Sequence, residues 1–175
     1  MKKILLLSVC LFVCWALFAQ QRIKVACVGN SITYGTGLAD RATQSYPVQL
    51  QKLLGEHYEV ENFGKPGATL LNQGHRPYTR QEEYRKALDF AGDIVVIHLG
   101  INDTDPRDWP NYRDSFVTDY LNLMDTFRKA NPDVRIIIAR MTPIADRHNR
   151  FLSHQRQQCP VHAGEAVVHR GESKR

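Results

Sequence analysis

Residues 93–99 read Asp-Ile-Val-Val-Ile-His-Leu, an apolar run of strand length with no inside–outside alternation. A strand can be apolar on both faces only if both are covered, the usual condition of a parallel strand between helical layers. The surrounding segments agree. Residues 22–28 form a β-branched run ending at Gly29 and read as a first strand. Residues 46–54 carry Val48, Leu50, Leu53 and Leu54 at helical spacing and stop at Gly55. Residues 58–63 read as a second strand, closed by Gly64, Pro66 and Gly67. Residues 82–90 read as a helix that breaks before Gly92, and 93–99 as the third strand. The longest predicted helix spans 112–130, with Phe116, Tyr120, Leu123, Met124 and Phe127 on one face and Asn131-Pro132 at its end. Residues 134–139 read as a fourth strand. The order β-α-β-α-β-α-β implies an α/β fold with a parallel sheet and helices on both faces. In such sheets ligands bind beyond the carboxyl ends of the strands, so the residues just after each strand are the ones to inspect.

The chain has 175 residues, enough for one domain with a real core. Its net charge of +5 is diluted by position: Lys2 and Lys3 contribute two, residues 151–175 a net two more, and about +1 is left for the segment between. No basic stripe with interleaved aromatics is present, so a nucleic-acid partner is not expected. The first 19 residues follow the grammar of a signal peptide: Lys2 and Lys3, an apolar run over 4–18, then Ala19 before Gln20 and Gln21. The run is shorter than the ~20 residues a spanning helix needs, and Cys10 and Cys14 follow Val9 and Val13 where a lipobox wants a small residue. Export to the periplasm or the extracellular space is the expectation, with no stable membrane anchor. Cys27 falls in a predicted buried strand and Cys159 in the last segment, so a disulfide framework is not expected, nor does their spacing suit a metal. The domain is expected over 20–150. Residues 151–175 lack apolar periodicity, and four of the seven histidines lie between His148 and His169. This segment reads as an atypical disordered tail or as the product of a frameshift.

Three post-strand segments carry chemistry. The first is Gly29-Asn30-Ser31-Ile32-Thr33. A turn after a strand can present the Ser31 hydroxyl to solvent, where a base would make it a nucleophile. A helix N-cap is the other role a serine takes there. The Lys of a phosphate loop is missing, and the pattern is not the G-x-S-x-G elbow. The second is Asn62-Phe63-Gly64-Lys65-Pro66-Gly67. Lacking a side chain, Gly67 could bring its N–H close to a substrate oxygen, or could simply build a turn with Pro66. The third is Gly100-Ile101-Asn102-Asp103, where the Asn102 amide could donate to a developing oxyanion, or serve as a turn or helix cap.

Taken in order, these blocks resemble the SGNH/GDSL hydrolase superfamily: G-N-S-I-T first, N-x-G-x-x-G second, G-x-N-D third, over residues 22–145. The resemblance implies a three-layer α/β/α sandwich with a parallel, flavodoxin-like sheet. It implies Ser31 as nucleophile, with the N–H groups of Ser31 and Gly67 and the side chain of Asn102 as oxyanion donors. It further implies a secreted serine esterase that removes a small acyl group such as acetyl from a carbohydrate, as in sialate-type O-acetylesterases, with no cofactor and no metal. The family's last block, D-x-x-H, has no counterpart: no histidine stands three residues after an aspartate, and Asp146-Arg147-His148 has a different spacing. His75 reads as a loop residue and His98 as a packing residue, so none of the seven histidines is assigned as the base. The alternative expectation is therefore a catalytically inactive, truncated SGNH-fold protein. A flavodoxin-like nucleotide-binding module is a third reading, for which Ser31 and Thr33 supply only part of a phosphate loop.

Overall fold

The computed structural model describes residues 22–141. The expected signal peptide, the segment 151–175, and Cys159 with its neighbouring histidines lie outside the described residues.

Four parallel strands form one sheet in the order β2-β1-β3-β4. Strand β1 is Ile23–Gly29, β2 is Tyr58–Gly64, β3 is Ile94–His98 and β4 is Arg135–Ile138. β1 and β3 are central, paired along both edges, and Val25, Ala26, Cys27, Val28, Val95 and Ile97 are buried. That double coverage is why these segments are apolar without alternation.

One face of the sheet holds the main core. Ala26, Val28, Phe63, Val95 and Ile97 pack with Ala87, Leu123, Met124 and Phe127. Ala87 belongs to helix α4 (Glu82–Phe90), and the last three to α6 (Phe116–Ala130). Edge-to-face rings tie these layers: Tyr84 lies 6.4 Å from Phe127 and 6.0 Å from Tyr78. Over the other face lie α1 (Ser31–Tyr34), α2 (Arg41–Gln44) and α3 (Tyr46–Leu54). There the Tyr46 hydroxyl meets Thr33 Oγ1 at 3.3 Å. Cys27 is free, and burial pushes its thiol up to about 12. No helix among the described residues is long and apolar enough to cross a membrane.

Two expectations need correction. Leu53 does not join the apolar face of α3, being 84% exposed. Pro47 is buried and Leu50, Gln51 and Leu54 are half-buried, so the inward stripe follows the i, i+3, i+4, i+7 rule from Pro47 and leaves Leu53 outside. The long helix begins at Phe116 rather than at 112. Before it come α5 (Trp109–Tyr112) and a 3₁₀ turn over Arg113–Ser115. The break lets Trp109 fold back on Phe116, their rings 5.5 Å apart and steeply inclined.

Candidate active site

The strand order makes the chain step outward from β1 to β2 on one side, then to β3 on the other. A crevice opens at such a switch point beyond the carboxyl ends of the strands. The segments after β1, β2 and β3 meet there.

After β1, Asn30 is the N-cap of α1, its Oδ1 accepting from Ile32 N at 3.0 Å. Ser31 is therefore the first residue of the helix and not its cap. Gly35, at φ +92°, ends α1 and donates its N–H to the Ser31 carbonyl. The turn is closely packed: a Cβ on Gly29 would stand 2.0 Å from Thr33 Oγ1 and 2.8 Å from the His98 carbonyl oxygen. His98 itself is buried, as expected of a packing residue, and burial pushes its imidazole below its usual range.

The second segment braces the first. Asn62 Nδ2 donates to the Thr33 carbonyl at 2.8 Å, and Asn62 Oδ1 accepts from Gly64 N at 2.9 Å. Lys65 N donates to the Gly29 carbonyl at 2.9 Å. Lys65-Pro66-Gly67-Ala68 is a β-turn closed by Ala68 N to the Lys65 carbonyl at 3.1 Å, with Gly67 at φ +76°. Pro followed by a residue at positive φ is the type II arrangement, which favours glycine. Arg76 Nη1 donates to the Pro66 carbonyl at 2.9 Å and so holds the turn from outside.

After β3, Asn102–Thr104 forms a 3₁₀ turn. Asn102 Nδ2 donates to the Ala68 carbonyl at 2.8 Å. Asp103 is fully buried and accepts from Leu70 N at 2.9 Å and Leu71 N at 2.6 Å. Burial pushes its carboxyl up to about 6 despite these two donors. Farther on, Asp108 takes both the backbone N–H of His75 at 2.9 Å and its Nδ1 at 2.6 Å. Asp105, in contrast, is exposed to Arg107, whose guanidinium holds its carboxyl down to about 2.

The structure thus brings together the segments bearing Ser31, Gly67 and Asn102. Gly67 lies between Lys65, bonded to the end of β1, and Ala68, bonded to Asn102. Sequence reading missed the His75–Asp108 pair. His75 is in a loop as expected, but its partner lies 33 positions away, and no local pattern links them. Among the described residues no group of three or more His, Cys, Asp or Glu side chains could hold a metal ion.

A parallel sheet whose first three strand ends carry a serine, a turn glycine and an asparagine is the framework of an SGNH hydrolase. The chain belongs to the GDSL-like lipase/acylhydrolase family, whose profile matches residues 27–165. An acetylxylan esterase of Xylanibacter ruminicola is 44% identical over 109 residues, which are 62% of this chain. The chain spans only 22% of that relative's length. Among solved structures, a family two carbohydrate esterase from Clostridium thermocellum, in complex with cellohexaose, superposes with a TM-score of 0.54 at 23% identity, covering 79% of this chain and 48% of its own. A family 3 carbohydrate esterase from the same organism gives a TM-score of 0.52 at 20% identity, covering 78% and 68%. These two likenesses show the fold.

Proposed function

We propose that this chain hydrolyses a carboxylic ester with Ser31 as nucleophile, and that the substrate is a small acyl group, such as acetyl, on a carbohydrate. Ser31 Oγ attacks the carbonyl carbon and gives up its proton to a base. The tetrahedral oxyanion is met by the N–H groups of Ser31 and Gly67 and by Asn102 Nδ2. Collapse expels the sugar alcohol and leaves an acyl-serine, which water then hydrolyses. The bracketing of Gly67 between Lys65, on the β1 end, and Ala68, on Asn102, carries this reading. An asparagine amide has two hydrogens; Ala68 takes one, and the other remains for the oxyanion. The acetylxylan esterase relative supports the choice of acyl group and of carbohydrate. Export through residues 1–19 belongs to the same reading, because polysaccharide esters stand outside the cell.

None of the described histidines is assigned as the base. His57 lies at the opposite end of the sheet, its carbonyl accepting from Ile23 N at the start of β1. His98 is buried, and His75, paired through Nδ1 with Asp108, makes no hydrogen bond to Ser31. The test compares the full chain with Ser31→Ala on 4-nitrophenyl acetate and on acetylated xylo-oligosaccharides. Loss of about 10⁴-fold or more in turnover on removing Ser31 is expected. Equal, measurable turnover in both proteins refutes Ser31 as nucleophile, whereas background rates in both favour the inactive SGNH-fold reading.

A further inference from the structure

Arg76 occupies an unusual place. A Cβ on Gly67 would stand 3.3 Å from Arg76 Nη1, 3.6 Å from Cδ and 3.9 Å from Cζ, so the guanidinium lies along the open side of that glycine. Nη1 is spent on the Pro66 carbonyl. Lys65, in the same turn as Gly67, is neutralised, its Nζ pairing with Glu83 at 3.0 Å. Arg76 has no carboxylate partner among the described residues.

Arg76 is exposed, yet its backbone and one guanidinium nitrogen are both held. Its own carbonyl accepts from Thr69 N at 2.8 Å, and Thr69 bridges to Pro77 on its other side. Immediately before it, His75 is held at backbone and ring by Asp108, whose side chain is only 3% exposed. The backbone is therefore fixed on both sides, and the guanidinium is anchored at one nitrogen with Nε and Nη2 left over. A planar cation anchored at one nitrogen in this way suits a carboxylate, which can take two parallel N–H donors.

We propose that Arg76 is the recognition group of a subsite, beside Gly67, for a carboxylate-bearing sugar. Resting on the ester-hydrolysis reading, this deepens it: the preferred substrate is an acylated polysaccharide with uronic-acid residues near the scissile ester. His75 and Asp108 are positioning residues for the subsite, since they hold the backbone that presents Arg76.

Binding tests the subsite without requiring turnover. Methyl glucuronoside and methyl glucoside are titrated into the full chain by calorimetry or by ligand-observed NMR, at low and high salt. The uronoside is expected to bind about tenfold more tightly at low salt, with the margin shrinking as salt screens the pair. Arg76→Ala removes the preference, and Arg76→Lys, which keeps charge without the planar fork, retains part of it. Equal affinity for the two sugars, binding of neither, or a preference that survives in Arg76→Ala overturns the proposal. Hydrolysis of 4-nitrophenyl acetate, measured in parallel, reports on the esterase reading separately, so the two can fail independently.

Discussion

The side-chain amide of Asn102 donates to the carbonyl oxygen of Ala68 at 2.8 Å, joining residues 34 positions apart. Through this bond the segment after β3 is fastened to the turn that carries Gly67. One hydrogen of the amide is thereby fixed in direction, and the planarity of the group fixes the other.

Removing the amide in Asn102→Ala deletes a proposed oxyanion donor and the tether together. Turnover of an acetyl ester should fall by about 10²–10³-fold with a much smaller change in KM, because the donor acts on charge that develops only in the transition state. Asn102→Asp should do no better, since a carboxylate has no N–H for Ala68. Steady-state kinetics on both variants check this; a turnover within about threefold of the parent protein in Asn102→Ala would rule the donor role out.

Asp103 makes a prediction about stability. Its carboxyl satisfies the buried N–H groups of Leu70 and Leu71. Asp103→Ala leaves both without a partner and should destabilise by about 1–3 kcal/mol for each. Burial raises the folded-state carboxyl from 3.8 to about 6. The folded protein thus holds this proton more tightly than the unfolded chain. The associated stability is fully present below about pH 4 and is lost as pH rises to about 6. In urea denaturation across that window, the stability of the parent protein relative to Asp103→Asn should decline, by on the order of 2–3 kcal/mol. A relative stability that climbs over the same window contradicts the burial argument.

Gly64 is constrained by contact rather than by its dihedral angles. A Cβ there would stand 2.2 Å from Tyr34 N and 2.7 Å from the Thr33 carbonyl carbon. These are backbone atoms that cannot swing aside, so Gly64→Ala should cost at least about 1–3 kcal/mol and displace α1. Gly37 is the comparison: nothing lies within 4 Å of its Cβ position, and only its φ of +86° opposes a side chain. Its alanine variant should cost about 1–2 kcal/mol and leave α1 in place. Thermal melts rank the pair, and the rate of acetyl-ester cleavage reports α1, with Gly64→Ala the slower.

Asn62 links β2 to α1 through Nδ2 to Thr33 and accepts from Gly64 through Oδ1. Asn62→Asp keeps the acceptor but sets a carboxylate oxygen against the Thr33 carbonyl. A loss of about 1–2 kcal/mol is expected, together with slower ester cleavage, because Thr33 is two residues from Ser31. If chemical denaturation finds Asn62→Asp as stable as the parent, this bond does not hold α1.

The sheet was legible because coverage on both faces writes itself into composition. β1 is apolar from Val25 to Val28 and β3 from Ile94 to Ile97, and Gly29, Gly55 and Gly64 mark the ends of elements where backbone freedom or close approach is required. α4 and α3 begin and end where periodicity and Gly55 put them. Leu53 was misread because a nine-residue helix carrying Val48 and three leucines has more than one candidate stripe, and only contact with β2 selects between them. The start of α6 was misread because Trp109 and Phe116 pack by turning the chain, which no helical period encodes.

The motif positions Ser31, Gly67 and Asn102 belong to the sequence, since each follows a strand that the sequence itself announces. Their mutual bracing belongs to the tertiary structure. Asn62 on Thr33, Asn102 on Ala68, Asp103 on Leu70 and Leu71, and Asp108 on His75 join residues 29 to 34 positions apart. Periodicity reports how a residue meets solvent or core within its own element, a local matter. A hydrogen bond between two loops depends on where parallel pairing brings the strand ends, and that exists only once the sheet has formed.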